Sequence, residues 1–88
     1  MILTTTFKSK GRGHSLSLDT EKADRNEADE NYAEWLVKTE NWRVILITVW
    51  KDALGRFTDD GTAEVYRDMG DYRDGMLLDK KNIKLKQE

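Results

Sequence analysis

The segment NWRVILITVWKDALGRF, residues 41–57, constrains the fold most, because it holds most of the strongly apolar residues of this chain. Five of the seven residues from Val44 to Trp50 are β-branched, and the run is apolar on both faces, as in a strand covered on both sides. The competing interpretation is a helix, because positions 42, 45, 46, 49, 50, 53, 54 and 57 are all apolar and Gly55 could end a helix. The match to helical spacing carries little weight, because the run is almost continuously apolar and would match almost any spacing. We therefore favour a central strand over residues 43–50, with Trp50 and the preceding Trp42 in the core.

The first 19 residues have the pattern of a β-hairpin. MILTTTFKS is rich in β-branched residues, GRG at 11–13 offers glycines for a turn, and SLSLDT alternates polar with apolar residues. We expect two paired strands within residues 1–19.

A helix is predicted over residues 20–40. Asp19 or Thr20 can cap its first N–H groups, acidic residues favour its first turns, and Ala28, Tyr32, Trp35 and Leu36 have helical spacing. In this interpretation Asn41 takes the left-handed cap and Trp42 folds back on the helix.

The last third of the chain has weaker signals. Residues 58–70 are read as a short helix with Thr58 or Thr62 as its N-cap, and a strand through Ala63–Tyr66 is the competitor. Residues 76–88 form a strand region, because Ile83 and Leu85 alternate with lysines.

Together these elements predict an α+β fold in one compact domain, residues 1–88. Its sheet has three or four mostly antiparallel strands, with one main helix packed across it and an optional second short helix. The chain has no cysteine and no apolar run long enough for a membrane span, so we expect a cytoplasmic protein without membrane association.

Catalytic and metal-binding signals are weak. The single histidine, His14, lies among glycines, and its neighbour Ser15 would point to the opposite face of a strand. DDGTAE and DMGDYRDG lack the spacing of a calcium-binding EF-hand loop. We therefore expect no enzyme activity, no metal site and no cofactor.

Charge is segregated along the chain, although the net charge is only −2. The preferred hypothesis is a protein-interaction module that contacts a partner protein through acidic surfaces. It suits a small regulatory or inhibitory protein of the kind that bacteriophages and mobile elements encode. The candidate acidic residues are Asp24, Glu27, Asp29, Glu30, Asp59, Asp60 and Asp68.

The alternative hypothesis is nucleic-acid binding by basic residues of the hairpin and the C-terminal strand. These residues are Lys8, Lys10, Arg12, Lys81, Lys84 and Lys86. Self-association through the apolar segment around Trp42–Phe57, giving a homodimer, is a third hypothesis. An exposed Trp42 or Trp50 would instead indicate an anchor for a partner. No motif covers enough of the chain to indicate a family.

Overall fold

The computed structural model describes residues 1–24 and 31–88, and in these residues the chain is built mainly of β-strands. Seven strands, one short helix and one 3₁₀ turn, Thr20–Lys22, lie within the described ranges. The elements are β1 (Ile2–Ser9), β2 (Arg12–Asp19), β3 (Tyr32–Lys38), β4 (Val44–Lys51), β5 (Phe57–Tyr66), α1 (Met69–Arg73), β6 (Leu77–Lys84) and β7 (Lys86–Gln87).

The strands form two antiparallel sheets, in the orders β2-β1-β7 and β3-β4-β5-β6. The predicted α+β fold with a main helix is therefore wrong. Side chains from both sheets meet in one core. Its buried apolar members are Leu3, Leu18, Ala33, Trp35, Ile45, Ile47, Val49, Ala63, Val65, Ile83 and Leu85.

The N-terminal hairpin lies where the sequence predicts one. β1 and β2 pair without a register shift from Ile2–Asp19 to Ser9–Arg12. Lys10 and Gly11 connect them with φ of 49° and 77°, the left-handed pair that a two-residue hairpin turn requires.

The strand interpretation of the apolar segment is confirmed. β4 lies inside its sheet, between β3 and β5. Ile45, Ile47 and Val49 are fully buried on the inner face, whereas Leu46 and Thr48 on the outer face are half-buried. β4 therefore needs a strand on each side, which explains two of the errors made from the sequence.

The predicted helix over 20–40 is the first of these errors, judged on the described residues of that range, since residues 25–30 lie outside them. Asp19 does cap a turn, because its carboxylate accepts from the N–H of Glu21, but the turn ends at Lys22 and the chain becomes strand at Tyr32. Ala33 and Trp35 face the core while Glu34 and Leu36 are less buried, which is the period of a strand. Pairing with β4 overrides the helical spacing that had included Tyr32, Trp35 and Leu36.

The predicted helix over 58–70 is the second error. Phe57–Tyr66 is β5, so the competing strand through Ala63–Tyr66 is the correct interpretation. The helix starts later, at Met69, and its N-cap is Asp68. Strands predicted in the C-terminal region are present as β6 and β7.

The two sheets are joined along one side by the last strands. β6 belongs to the four-stranded sheet, and β7 pairs with β1 in the other, so Leu85 lies where the chain passes between sheets. The N–H of Leu85 donates to Asp59 C=O (2.9 Å), and Thr5 Oγ1 donates to Lys84 C=O (2.9 Å). On the opposite side, the indole N–H of Trp35 donates to Asp19 C=O (2.9 Å), at one end of the facing edges of β2 and β3.

We expect Gly61→Ala to destabilise the fold. A Cβ at this buried position in β5 would lie 2.5 Å from the backbone oxygen of Thr48 in β4, so the two strands would have to move apart. The free energy of unfolding in urea should fall by about 2 kcal/mol. Gly13→Ala is the control, because nothing lies within 4 Å of its Cβ position, and it should change stability by less than about 0.5 kcal/mol. Equal effects of the two substitutions would contradict this packing.

Candidate functional site

Trp42 is the most exposed of the large apolar side chains in the described residues, at 83%. It lies in the turn between β3 and β4, so the prediction that it packs in the core is wrong. Trp50, at the other end of β4, is 43% exposed and packs edge-to-face on Tyr32. An exposed tryptophan with no ring neighbour among the described residues is a typical anchor for a binding partner.

Trp42 also has an unusual backbone. Its φ is 70°, in the left-handed region where a bulky residue is rare. The turn Thr39–Arg43 has two hydrogen bonds, from Thr39 N–H to Arg43 C=O (2.9 Å) and from Trp42 N–H to Thr39 C=O (3.2 Å).

The β4–β5 turn has the same pair of hydrogen bonds. Asp52 N–H donates to Arg56 C=O (2.8 Å), and Gly55 N–H donates to Asp52 C=O (3.0 Å). The residue equivalent to Trp42 is Gly55, with φ of 77°. One turn thus carries the residue that this geometry favours, and the other carries a tryptophan at a conformational cost of about 1–2 kcal/mol.

A groove opens next to this turn, between the facing edges of β2 and β3. We call it the seam; it is lined by residues 12–16 of β2 and 37–41 of β3 and the following turn. Its volume is about 570 Å³. Leu16 and Val37 contribute half-buried apolar surface, and Arg12, Lys38 and Glu40 are its exposed charged residues.

A buried polar cluster lies behind the seam. Arg43 is 8% exposed and its Nη1 donates to Ser9 C=O (2.9 Å). The same nitrogen lies 3.4 Å from Nε2 of His14, which is 9% exposed. Ser9 Oγ in turn donates to Asp79 Oδ2 (2.7 Å). This cluster ties β1, β2, β6 and the β3–β4 turn together at the end of the molecule that carries Trp42.

The cluster holds His14 neutral. Burial lowers the pKa of His14 below its ordinary value of 6.5, and the charges of Arg43 and Arg12 lower it further. A guanidinium has no acceptor, so in its contact with Arg43 the Nε2 atom of His14 accepts. The hydrogen bond from Ser9 is the main cause that lowers the pKa of Asp79, which therefore carries the negative charge of the cluster.

The acidic residues singled out from the sequence are not gathered in the structure. Asp24 accepts from the N–H of Leu36, and Asp68 accepts from the N–H of Asp71 as the cap of α1. Asp60 forms an ion pair with Lys84. Asp59 precedes Asp60 near the start of β5, far from Asp68 at its other end. Glu27, Asp29 and Glu30 lie outside the described residues.

The basic residues divide into two groups. Lys8, Lys10 and Arg12 lie at the β1–β2 turn. Lys81 approaches the same end, because it and Lys10 both act on the carboxylate of Asp79. Lys84 faces Asp60 and Lys86 pairs opposite Thr4, both further along the molecule. The predicted patch of hairpin and C-terminal strand is therefore brought together only in part.

Sequence reasoning missed Trp42, Lys38 and Arg43 as members of one region. Trp42 and Arg43 belong to a charged and amide-containing stretch, Thr39–Arg43, which matches the turn Asp52–Arg56 in length and hydrogen bonding. Of these features, only the polar composition of Thr39–Arg43 was a signal available from the sequence. No sequence signal indicated the burial of Arg43, because its partners come from distant segments.

Comparisons with protein-family models, curated proteins and solved structures gave no match to this chain. In residues 1–24 and 31–88, no helix is long and apolar enough to cross a membrane. The same residues contain no cluster of three or more His, Cys, Asp or Glu side chains that could hold a metal ion.

We expect the free energy of unfolding to fall between about pH 7 and pH 5 because of His14. The folded protein keeps its pKa below 6.5, so over this interval the unfolded chain binds a proton that the folded protein does not. The contribution of neutral His14 to stability is present above pH 6.5, and it is lost as the pH falls towards the lower pKa of His14 in the folded state. The lowered pKa values of Asp52 and Asp79 affect stability only below their ordinary value of 3.8.

Urea unfolding followed by tryptophan fluorescence, at both pH values, measures this effect. His14→Gln, which cannot titrate, should lose less stability on acidification than the unmodified protein. Because His14 is the only histidine in the chain, an equal loss in both proteins would contradict a neutral His14 in the folded state.

Proposed function

We propose that this protein is a non-enzymatic protein-interaction module whose contact surface centres on Trp42. The observation that carries the proposal is the tryptophan itself, 83% exposed and held at φ 70° in a turn whose counterpart uses glycine. Strained, exposed residues of this kind persist where function maintains them, because folding alone favours a different residue.

The surroundings of Trp42 suit a specific contact. The seam provides apolar surface from Leu16 and Val37, and charged residues border it. A large aromatic anchor with an apolar groove and a polar rim is the usual composition of a protein interface. A regulatory or inhibitory role is the natural use of such a module. A cytoplasmic location belongs to the same proposal and rests on the cysteine-free composition of the chain.

The acidic surfaces are a weaker basis for partner binding. Among their described residues, Asp24, Asp60 and Asp68 already have partners within the chain, namely the N–H of Leu36, the amine of Lys84 and the N–H of Asp71. A partner would have to compete with these contacts. We therefore place the contact at Trp42 in preference to the acidic residues.

Nucleic-acid binding is the second candidate. The specific observation in its favour is that Lys8, Lys10 and Arg12 lie at the end of the molecule that also carries Trp42. Lysine and arginine could contact phosphates while the indole stacks on a base. Against it, the net charge of the chain is −2, and Glu40 and Asp79 lie in the same region.

Affinity capture from a lysate of the organism of origin, with and without nuclease, distinguishes the two candidates. We expect a stoichiometric protein that survives nuclease treatment and is lost with Trp42→Ala. Leu54→Ala is the matched control, because Leu54 is 75% exposed in the β4–β5 turn, and it should leave capture unchanged. Retention of nucleic acid, or of proteins that nuclease releases, would support the second candidate and contradict the first.

We expect Trp42→Gly to stabilise the fold while it removes the binding. Glycine relieves the left-handed strain, and an 83% exposed side chain gives up little burial, so the free energy of unfolding should rise by about 1 kcal/mol. Trp42→Ala keeps the strain and should not stabilise to this extent. Urea unfolding of the two variants measures the difference. A Trp42→Gly variant that is less stable than Trp42→Ala would contradict the strain.

A further inference from the structure

We propose that the seam binds an extended, acidic segment of a partner protein, which adds to the edge of β2 as a further β-strand and has the edge of β3 on its other side. This inference rests on the proposed function, because it assigns a binding mode and a partner chemistry to the interaction surface beside Trp42. Strand addition uses main-chain hydrogen bonds for affinity and side-chain pockets for selectivity.

On the outward edge of β2, main-chain groups lack hydrogen-bond partners within the part of the chain that the structure describes. Thr20 N–H donates to Met1 C=O (3.0 Å), which fixes the alternation of bonded and non-bonded pairs along the β1–β2 ladder. The non-bonded positions of β2 point their N–H and C=O groups away from β1. They are Gly13, Ser15, Ser17 and Asp19. The bond from the indole of Trp35 to Asp19 C=O agrees with this direction and occupies only the last of them.

The edge of β3 also has outward main-chain groups, and those near the seam have no partner among the described residues. Lys51 N–H donates to Asn31 C=O (2.7 Å) and Thr39 N–H donates to Arg43 C=O (2.9 Å), so the odd-numbered residues of β3 bond to β4. The even-numbered residues therefore point their main-chain groups outward.

Asp24 occupies part of this outward edge. Its N–H donates to Glu34 C=O (2.7 Å) and its carboxylate accepts from Leu36 N–H (2.6 Å). The main-chain groups of Lys38 and the C=O of Leu36 lie beyond Asp24, in the part of β3 that borders the seam. Two strand edges thus face the same groove with main-chain groups that have no partner among residues 1–24 and 31–88, which is the arrangement that templates strand addition.

The seam leaves space for another backbone. Gly13 has no side chain, and nothing lies within 4 Å of where its Cβ would be. Thr39 Oγ1 is buried beside the groove without a hydrogen-bond partner in the described structure. A main-chain N–H of an added strand is a natural partner for such a hydroxyl, because buried polar atoms are rarely unsatisfied.

The side chains of the seam indicate what kind of segment fits. Arg12 and Lys38 are cations on its two walls, Glu40 is the one acid among its described lining residues, and the buried guanidinium of Arg43 lies behind His14. This balance favours carboxylates on the incoming strand. Leu16 and Val37 offer half-buried apolar surface between the walls, so an apolar residue next to an acidic one is the best match.

Other sheet edges are less suited to strand addition. β6 is an edge of the four-stranded sheet, but it lies against β1 and its Lys84 C=O already accepts from Thr5. Lys80, Lys81 and Lys84 also place like charges along that strand, a usual protection of an edge. The seam has serine and glycine at the corresponding edge positions of β2.

The test measures binding of a fluorescein-labelled peptide in which valine alternates with aspartate, using the full chain and fluorescence anisotropy. Two further peptides separate the sources of affinity: one has lysine in place of aspartate, and one carries N-methyl groups at alternate amides. We expect millimolar or tighter binding of the aspartate peptide, and at least about tenfold weaker binding of the other two.

Ser15→Pro and Ser15→Ala form the decisive pair of variants. Both lose the Thr6–Ser15 hydroxyl contact, but only proline removes the outward N–H of residue 15, and neither removes a bond of the β1–β2 ladder. Ser15→Ala should bind the aspartate peptide like the unmodified protein, and Ser15→Pro at least about tenfold more weakly. Lys38→Glu should also weaken binding, whereas Lys8→Glu, the same charge change outside the seam lining, should not.

Equal affinity of Ser15→Pro and Ser15→Ala would overturn strand addition, as would absence of binding by the aspartate peptide. A second copy in the seam would appear as a dimer of the free protein that Ser15→Pro dissociates, and it would overturn the proposed occupant. If Ser15→Pro unfolds, the N-methylated peptide decides, because equal binding of that peptide contradicts main-chain pairing. If the aspartate peptide does not bind but capture still depends on Trp42, the proposed function stands. If the peptide binds as expected but capture does not depend on Trp42, only the proposed function is contradicted.

Discussion

In the described residues, a direct passage of the chain from one sheet into the other lies along one side of the protein, and the rest of the structure depends on that asymmetry. On the joined side the chain runs from β6 through the buried Leu85 into β7, so one continuous path belongs to both sheets. On the other side β2 and β3 face each other, with the bond from Trp35 to Asp19 at one end and the seam at the other. The resulting sandwich has one core and one open junction, by which we mean the facing edges of β2 and β3 at the seam.

The open end is organised by a buried cation. Arg43 turns into the molecule to donate to Ser9 C=O, and His14 and Asp79 complete the polar cluster around it. A buried guanidinium is costly unless it is hydrogen-bonded, so the turn that carries it has little freedom. The preceding residue, Trp42, takes the left-handed backbone and projects outward. Burial of Arg43 and exposure of Trp42 are therefore two results of one local arrangement, and both lie beside the seam.

Much of the sheet structure could be predicted from the sequence, whereas the helices could not. The hairpin of residues 1–19 and the strand at Val44–Trp50 follow from local signals, namely alternation, turn glycines and β-branched residues. The prediction for Tyr32–Lys38 was wrong because its side chains fit both helical and strand spacing. Only pairing with β4 decides between the two. The helix predicted to begin at residue 58 was also wrong because of strand pairing, since β5 lies between β4 and β6.

The candidate site could be predicted even less well. Its parts come from the β1–β2 turn, the end of β3 and the β3–β4 turn, which are distant in sequence and meet only in the folded chain. Charge counting groups Arg12 with Lys84 and Lys86, but in the structure Arg12 lies at the seam and the two lysines lie elsewhere. The apolar run that begins at Trp42 and continues into β4 predicts that Trp42 lies in the core. Its exposure depends on the turn geometry, which composition does not reveal.

Residue-resolved amide hydrogen exchange of the free protein tests the open junction most directly. If the edges of β2 and β3 are unpaired, the amides of Ser15, Ser17 and Lys38 exchange fast, while those of His14, Leu16 and Val37, which bond within the sheets, are protected. This alternation along each strand is the expected result. Protection of Ser15 and Lys38 equal to that of their neighbours would mean that the junction is closed, and it would contradict the account given above.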